Sequence, residues 1–416
     1  MLKQSERILF FDLAISGHHT EYLYHLINYR FAHPEYPEFV LLTHPGFMER
    51  VADLNLPSHF LENGIRIVHP SLDEMRRLQS KRSVFSRADE EFRILCKNIE
   101  KFKAQCCYLM DLSIFQFVLG TTYAQNCPFA IRGLLFKPYS AMDDDGPFVE
   151  KCFIKLLKLR KHMQFLWLLR NKKIDQIYVL NNPEAAKYLN ERYQKKNLFI
   201  ALADPILIPP GHFDNKAIDV GRDSLQYRFL LFGSLSSRKG IFHVIDALRC
   251  LPVTVLSQIE VIFAGKVIDK ERDRFRSAIS GLQRDRPKIR ITLHDEFIPY
   301  KAIPVLFLES DCVLLPYSLT GASSGIIGHS ALYGKPVIGP AKGLIGKQIK
   351  SYGLGIGIEP INGTSLAAAM IDFVKKGPSN INNVGMQRFV EERQPDNFVA
   401  TLLGASFFSL KESIHD

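Results

Sequence analysis

The chain has 416 residues, of which 46% are hydrophobic and 23% are charged, and its formal net charge is +10. This length gives room for two domains with a core each, and the composition excludes a disordered or fibrous protein. The positive charge suits an anionic substrate or an anionic membrane surface, whereas the lack of zinc-finger, KH or RNP motifs disfavours nucleic acid, so we expect no nucleic acid partner.

The cysteines and the first residues indicate the compartment. The seven cysteines form no C-x-x-C pair and mostly stand in apolar runs, which predicts free thiols in a reducing compartment and no metal site. The start, MLKQSERILFFDL, lacks the apolar core and cleavage pattern of a signal peptide. No run of about 18 apolar residues occurs, which predicts no membrane-spanning helix. We therefore expect a cytoplasmic protein.

The first predicted strand, RILFFDL at 7–13, leads through a glycine-bearing loop into a helix with an apolar face. Gly17 permits a tight turn, and in an open α/β sheet this first loop commonly contacts the ligand. His18 and His19 follow the glycine and are candidate site residues. The alternative is that both are ordinary solvent-exposed loop histidines.

The rest of the first half alternates strands with helices, which predicts a doubly wound sheet. Arg132 stands beside Gly133 in a strand and loop at 129–140 and is a candidate pocket residue. Three consecutive aspartates at 143–145 suggest either a D-x-D metal site or, as the more ordinary interpretation, a solvated loop. The other predicted strands are 39–44, 65–70, 106–112, 176–181 and 198–206, and two helices fall within 72–104.

The segment 151–173 carries eight lysines and arginines, no acidic residue, and the only tryptophan of the chain, Trp167. Apolar residues recur among these cations at helical spacing, which predicts a basic amphipathic helix that can lie on an anionic membrane surface. The alternative is a surface helix whose apolar face packs on the sheet of the first domain.

A segment rich in proline, glycine and aspartate at 209–224 predicts an interdomain linker. The first domain is then 1–210 and the second is 211–384, again with alternating strands and helices. The tail 385–416 is predicted to be helical and to pack back on the first domain.

Two strands of the second half run into loops of small residues. YRFLLFGSLSSRKG at 227–240 ends with Arg238 and Lys239 before a helix, and DCVLLPYS is followed by a loop from Gly321 to Gly325 and another helix. Small residues at a helix start let backbone amides approach an anion, and a nearby cation adds to its binding. The loops lack the G-x-x-x-x-G-K-[ST] pattern. Their alternative interpretation is ordinary tight turns with a solvated basic end.

These two segments, together with VIFAGKV at 261–267 and YGKPVIG at 333–339, resemble the C-terminal half of retaining GT-B glycosyltransferases that build bacterial surface polysaccharides. The shared patterns are strand-G-x-L-x-x-x-K-G, strand-x-G and G-x-P-V, with VLLPYS preceding the last loop. The resemblance covers about 200–370 in its motifs, and 1–200 only in its layout.

The resemblance implies an α/β protein with a GT-B fold, in which two Rossmann-like doubly wound domains face each other across a cleft. It implies that a UDP- or GDP-sugar donor gives its sugar, with retention, to a glycan or lipid-linked acceptor, without a metal or another cofactor. A lipid-linked acceptor would fit a peripheral enzyme that docks on the inner face of the membrane through 151–173.

The resemblance also implies roles for single residues. The phosphate-contacting lysine of the family falls on Lys239, and Arg238 replaces the family arginine that here is Ser234. We therefore expect Lys239, Arg238 and His18 to be catalytic. The expected donor-binding residues are Gly233, Ser234, Phe297, Ser323, Ser324, Gly325 and His329, and the expected acceptor-side residues are Gly17, His19 and Arg132.

The chain departs from the family at its two acids, which stand in an E-x7-E pattern. The first position falls near Thr320 or Gly321 and the second on His329, whose ring can still hydrogen-bond a ribose hydroxyl. The pocket histidine of the family is also missing near Arg132. Two alternatives therefore stay open, a catalytically inactive GT-B protein that binds a nucleotide or a partner, and a protein that binds lipid or nucleic acid through charge alone.

Overall fold

The computed structural model describes residues 6–15, 17–136, 138, 148–209, 227–318, 324–377 and 382–412. It divides into two compact units, of which the first is Met1–Pro205 with Pro395–Asp416 and the second is Ile206–Gln394. The predicted linker lies mostly in 210–226, outside the described residues, as do the aspartates at 143–145. Residues 385–394, expected with the tail of the first domain, belong to the second unit.

The first unit is built on a seven-stranded parallel sheet with the order β3-β2-β1-β4-β5-β6-β7. Its strands read as nearly continuous apolar runs because helices cover both faces. The strand order reverses between β1 and β4, which makes their carboxyl ends the switch point of the sheet. The strands are β1 (Arg7–Asp12), β2 (Glu38–Thr43), β3 (Ile65–Val68), β4 (Cys106–Leu109), β5 (Ala130–Leu135), β6 (Ile174–Leu180) and β7 (Phe199–Leu202).

Helices connect these strands, and their starts follow from the sequence. Ser71 and Glu74 form a reciprocal capping box at the start of α3, and Asn182 caps α8 just before a proline at its first position. The helices are α1 (His19–Ala32), α2 (Phe47–Arg50), α3 (Leu72–Ser80), α4 (Val84–Phe102), α5 (Gln116–Leu119), α6 (Thr122–Gln125), α7 (Phe148–Leu168) and α8 (Pro183–Arg192).

The second unit is built on a six-stranded parallel sheet with the order β10-β9-β8-β11-β12-β13, and its switch point lies between β8 and β11. Its strands are β8 (Tyr227–Phe232), β9 (Ile259–Ala264), β10 (Arg290–His294), β11 (Cys312–Leu314), β12 (Val337–Pro340) and β13 (Gly355–Ile358). Its helices are α9 (Ile241–Cys250), α10 (Val253–Leu256), α11 (Arg272–Asp285), α12 (Ile303–Glu309), α13 (Gly325–Leu332), α14 (Gly343–Tyr352), α15 (Gly363–Lys376) and α16 (Asn383–Glu391).

A further helix, α17 (Pro395–Glu412), belongs to the first unit. The backbone carbonyl of Leu402 accepts hydrogen bonds from the hydroxyls of Tyr108 in β4, at 2.9 Å, and Tyr178 in β6, at 2.7 Å. The ring of Phe398 stacks on that of Tyr22 in α1, with 5.1 Å between centroids. The helix is therefore fixed to β4 and β6 by hydrogen bonds and to α1 by an aromatic contact.

The predicted alternation of strands and helices is confirmed in both units, with strand ends shifted by a few residues. The short helices α2, α6 and α10 and the longer α14 were not predicted. Helix α7 begins at Phe148 and ends at Leu168, earlier than the predicted 173. No described helix is both long and apolar enough to cross a membrane.

Candidate functional site

The two predicted glycine and serine loops meet in the second unit, because they follow the adjacent strands β8 and β11. The ammonium Nζ of Lys239 donates a hydrogen bond to the hydroxyl of Tyr317 at 2.7 Å. That hydroxyl lies 3.2 Å from Oγ of Ser324, the residue before α13. Three side chains from two loops therefore form one connected group, the Lys239 cluster.

Lys239 is only 9% exposed, which is unusual for a lysine. Burial, and then the positive charge of Arg238, lower the pKa of Lys239 to about 7. The ammonium also lies 4.1 Å from the centre of the Tyr317 ring, at cation–π distance. A cation held in this way gains a partner when an anion binds beside it, and its pKa then rises.

Glycines let the loops of this site approach each other. Gly240 has φ +80°, and a Cβ there would lie 2.1 Å from the carbonyl oxygen of Pro316. Gly265, after β9, has φ +139°, and a Cβ there would lie 1.9 Å from the carbonyl oxygen of Gly233. A side chain at either position would separate the loops that surround the Lys239 cluster.

Two helices begin at the cluster. Helix α9 begins at Ile241, directly after Gly240, and α13 begins at Gly325, directly after Ser324. The first amides of a helix have no intrahelical acceptor and carry a partial positive charge, so both helix starts can bind an anion. Ser323 and the rest of 319–323 lie outside the described residues.

The other predicted donor residues lie around this cluster or in the packing behind it. Gly233 is half-buried, with φ +102°, and Ser234 and Arg238 are exposed. Phe297 follows β10 and is 57% exposed, with its ring edge-to-face against Tyr300 at 6.4 Å. His329 is buried in α13, with its ring 5.6 Å from that of Phe307. This packing makes His329 a support of α13 rather than an exposed contact for a ribose.

The two predicted histidines of the first unit differ in their partners. His19 Nδ1 lies 2.7 Å from Oδ2 of Asp12, the last residue of β1, while His18 Nδ1 lies 3.0 Å from Glu21 in the next turn. Gly17 precedes them with φ +66°, in the left-handed region. His19 therefore faces the end of the sheet, and His18, just before α1, pairs with Glu21 in the first turn of that helix.

Arg132 is not brought together with these histidines. It lies within β5, is buried, and forms an ion pair with Asp175 at 2.6 Å and a hydrogen bond with the Tyr108 hydroxyl at 3.1 Å. Its expected acceptor-side role is therefore corrected, because the side chain lies in the middle of a strand and supports the contact with α17.

His19 and Asp12 line a cavity of about 290 Å³ at the switch point of the first unit. Most of its walls are apolar. Its charged or titratable residues are Asp12, His19, Arg87, Glu91 and Asp111, and its apolar residues include Phe11, Leu13, Val84, Ile114 and Phe115.

The pKa values in this cavity reflect burial and pairing. Burial raises the pKa of Asp12, and the hydrogen bond with His19 offsets only part of that rise. Burial alone would lower the pKa of His19, but the hydrogen bond and charge of Asp12 outweigh it, so its pKa is raised. Burial also raises the pKa of Glu91, although Arg87 Nε bonds to Glu91 Oε1 at 2.8 Å. Asp12 and His19 thus form a mostly buried, hydrogen-bonded pair in which both pKa values are raised.

Sequence reasoning missed Tyr317, Asp12, Glu91 and Asp111 as site residues. Asp12 ends the run RILFFD and Asp111 follows the run CCYLM, so each aspartate stands at the carboxyl end of a buried strand. Parallel strands bring such residues to one edge of the sheet, and this signal was available. Among the described residues, no three His, Cys, Asp or Glu side chains are placed to hold a metal ion.

No family model matches the sequence, and no curated protein matches it. Solved structures do match over nearly the whole chain. A glycosyltransferase from Rickettsia africae ESF-5 has a TM-score of 0.62 at 13% identity, covering 97% of this chain and 98% of that chain. HepE from Anabaena, in complex with UDP and glucose, has a TM-score of 0.64 at 14% identity, covering 96% and 100%. The chain has a GT-B fold.

Sucrose-phosphate synthase from Thermosynechococcus elongatus is similar in the same way, with a TM-score of 0.63 at 12% identity and coverage of 98% and 100%. In this GT-B chain each Rossmann-like domain has a polar site at its own switch point. The first domain places Asp12 and His19 there, and the second places the Lys239 cluster there.

Proposed function

We propose that the chain is a glycosyltransferase that takes its sugar from a UDP- or GDP-sugar. The observation that carries this proposal is the buried Lys239, hydrogen-bonded to Tyr317 and adjoining the starts of α9 and α13. A cation and two helix N-termini suit a diphosphate. HepE, one of the structural relatives, was crystallised with UDP and with UDP-glucose, which supports the same donor class.

In the proposed reaction, negative charge grows on the leaving diphosphate as its bond to the sugar breaks. Lys239 and the exposed Arg238 stabilise that charge, together with backbone amides at the starts of α9 and α13. The exposed ring of Phe297 offers a packing surface for the nucleotide base. No step in this scheme needs a metal or another cofactor, and the resemblance supports retention at the transferred sugar carbon.

Nucleotide binding tests the donor site directly. At about 100 times its dissociation constant, a nucleoside diphosphate should add about 2.7 kcal/mol to the free energy of unfolding. We expect UDP or GDP to raise the melting temperature of the wild type and not that of Lys239→Ala. The exposed Lys288 supplies a matched control, Lys288→Ala, which should respond as the wild type does. If UDP, GDP, ADP and CMP all leave the wild type unchanged, the donor site is wrong.

Turnover separates the enzyme from an inactive relative. A panel of UDP- and GDP-sugars, with release of the nucleotide as the readout, should show at least one donor that is consumed. Nucleotide binding without any turnover would instead identify a binding module, the alternative that the missing acid pair left open. The anomeric configuration of the product, determined by NMR, then decides retention.

We also propose that the protein docks on an anionic inner membrane leaflet through α7. Leu156, Leu159, Met163, Leu166 and Trp167 are exposed and form one stripe at helical spacing, the α7 stripe. Leu156 is 64% and Met163 is 62% exposed, so the sheet does not bury the whole apolar content of this helix.

The face of α7 that packs on the domain is a different one, formed by Gln164, Phe165 and Leu168. Exposed Lys155 and Arg160 flank the α7 stripe on its two sides. An apolar stripe between cations is the pattern of an interfacial helix, and each cation contributes about 1 kcal/mol near an anionic leaflet.

Vesicle co-sedimentation tests this docking. Binding should occur with phosphatidylglycerol-containing vesicles at low salt, weaken at high salt, and fall in a Lys155→Glu, Arg160→Glu double variant. The control, Lys187→Glu with Lys196→Glu, makes the same charge change on exposed residues of the same unit and should bind as the wild type does. A wild type that stays in the supernatant at low salt excludes the proposal.

A further inference from the structure

The cavity of the first unit contains a histidine nitrogen that can hydrogen-bond a ligand hydroxyl. Asp12 uses both carboxylate oxygens, since Oδ2 pairs with His19 Nδ1 and Oδ1 accepts from the Ala14 amide at 2.9 Å. The pairing makes Nδ1 the donor to Asp12, which leaves Nε2 to hydrogen-bond a ligand. Within the described part of the chain, Nε2 of His19 has no hydrogen-bond partner.

The charges around this nitrogen favour one class of ligand. Asp12, Glu91 and Asp111 place three carboxyl groups on the cavity, against the single guanidinium of Arg87 and the ring of His19. Asp111 uses Oδ1 to accept from the Ser113 amide at 2.9 Å. A phosphate or carboxylate ligand would add to the excess of carboxyl groups here, whereas a hydroxyl group can donate to the carboxylates and can bond with His19 as donor or acceptor.

The size of the cavity and the residues at its rim further restrict which ligands can bind. A volume of about 290 Å³ is at the small end of ligand sites, which run from ~300 to ~1,000 Å³, so it suits a single sugar unit. Val84 lines the cavity and is 73% exposed, and Ile114 also lines it and is partly exposed. The apolar lining therefore continues onto the outer surface of the domain.

That outer surface leads to α7. Phe85, next to Val84, packs edge-to-face on Phe117 at 6.4 Å, and both rings are exposed. The indole Nε1 of Trp167 donates to the carbonyl oxygen of Phe117 at 3.0 Å. An apolar path thus runs from the cavity rim to the α7 stripe that we propose lies on the membrane.

We infer that the acceptor is an uncharged glycolipid, whose terminal sugar enters this cavity while its chain lies along Val84, Phe117 and the α7 stripe. Within the site, one sugar hydroxyl bonds with His19 Nε2, as donor or acceptor, and a second donates to the Asp111 carboxylate. The inference rests on the proposed glycosyl transfer and narrows its acceptor to a neutral, amphipathic class. Asp12 is a positioning residue, because it acts through the ring of His19.

Binding of two small probes tests the inference. The probes are octyl glucoside and octyl phosphate, which share a chain, both used below their critical micelle concentrations. The emission of Trp167, the only tryptophan, reports binding at the outer surface, and calorimetry reports the affinity. We expect octyl glucoside to bind at least tenfold more tightly than octyl phosphate at the cavity.

Two variants locate the binding. His19→Gln and Asp111→Asn should each weaken the binding of octyl glucoside at least tenfold. If His19→Gln does not fold, Asp111→Asn still tests the inference. Asp73→Asn, on an exposed residue of α3, is the matched control and should bind normally. If both cavity variants bind octyl glucoside as tightly as the wild type does, the inference is overturned. It is also overturned if octyl phosphate binds the wild type as tightly as octyl glucoside does and both variants lose that binding.

The nucleotide-binding experiment distinguishes a failure of the acceptor inference from a failure of the proposed glycosyl transfer. If UDP or GDP binds and octyl glucoside does not, the acceptor inference fails while the donor site stands. If octyl glucoside binds in the His19-dependent way and no nucleotide binds, the cavity assignment is supported and the glycosyl transfer fails.

Discussion

The two units use the same position in the same kind of sheet for opposite chemistry. In the first unit, the carboxyl ends of β1 and β4 carry Asp12 and Asp111, and a histidine bonds to one of them. In the second, the loops after β8 and β11 carry Lys239 and Tyr317 beside two helix starts. Parallel topology places a site at the switch point of each sheet, and the side chains there decide which charge it binds.

The comparison also separates two ways of holding a buried titratable group. His19 is paired with a carboxylate, which keeps its pKa raised despite burial. Lys239 has only a neutral tyrosine hydroxyl as its partner, so burial, and then the nearby charge of Arg238, lower its pKa to about 7. His19 in the first site thus has a counter-charge from the protein itself, whereas Lys239 in the second site gains one only when an anion binds. Four experiments test this contrast, from the largest effect to the smallest.

Lys239→Ala should reduce kcat by about 10²-fold and change the KM for the donor much less. The phosphate that carries the sugar gains negative charge in the transition state and keeps it in free UDP or GDP, so a lost cation there affects the reaction and the binding of the free diphosphate more than the binding of the intact sugar donor, by about 2.7 kcal/mol. Steady-state kinetics with Lys288→Ala as the control measures this. Wild-type kinetics in Lys239→Ala would remove the lysine from the mechanism.

Gly240→Ala should destabilise the second unit by at least about 2 kcal/mol, because the left-handed backbone and the contact with the Pro316 carbonyl both oppose a Cβ. Gly281→Ala is the control, since Gly281 is in α11 and a Cβ there would meet no other atom within 4 Å. It should be neutral or stabilising by up to about 1 kcal/mol. Urea denaturation measures both, and equal stabilities would show that the loops do not need to approach so closely.

His25, in α1 with His19, should make the first unit sensitive to acid. Burial lowers its pKa to about 4, and its Nε2 has no hydrogen-bond partner among the described residues. Between pH 6.5 and 4 the unfolded chain binds more protons at this residue, so stability is lost as the pH falls through that window. The loss should be about 2 kcal/mol between pH 7 and 5.

The variant His25→Phe keeps a ring of similar size and does not titrate. The difference in unfolding free energy between wild type and variant should therefore change by about 2 kcal/mol between pH 7 and 5. Taking this difference removes the contributions of all other titrating groups, because both proteins share them. A difference that is constant with pH would show that His25 takes up its proton without cost.

Nucleotide affinity should fall by up to tenfold per pH unit above pH 7, which is about 1.4 kcal/mol per unit. Free Lys239 loses its proton in that range, so binding a diphosphate then requires proton uptake. Lys239→Arg keeps its charge at every pH used and should show a flat profile between pH 7.5 and 8.5. Calorimetry of UDP or GDP measures both, and parallel profiles would show that Lys239 is not the group that titrates.

The sequence predicted the strands, most helices and the two small-residue loops, because apolar runs and glycine positions are local signals. It did not predict the bond between Lys239 and Tyr317, since that contact depends on β8 and β11 being neighbours in the sheet. The pair Asp12–His19 was half predicted: the glycine loop indicated His19, while Asp12 was taken as part of a strand.

For Arg132 and for α7, the sequence did not show in which direction the side chains point. Arg132 was placed near the ligand because it stands in the region where the family has a pocket histidine, yet its position within β5 directs it to Asp175. Helix α7 was treated as having one apolar face, but it has a buried face at Phe165 and Leu168 and a separate exposed stripe. Helical spacing alone could not show which of the apolar residues the domain would cover.

The contact of Leu402 with Tyr108 and Tyr178 bears on how the protein is made. In chain order, the first sheet is synthesised first, then the whole of the second unit, and only then helix α17, which contacts the first sheet. The first domain is thus completed only after the second has emerged, although its strands are translated first. A nascent chain that stops after residue 394 carries every strand of both sheets and still lacks the carbonyl to which two buried tyrosine hydroxyls donate.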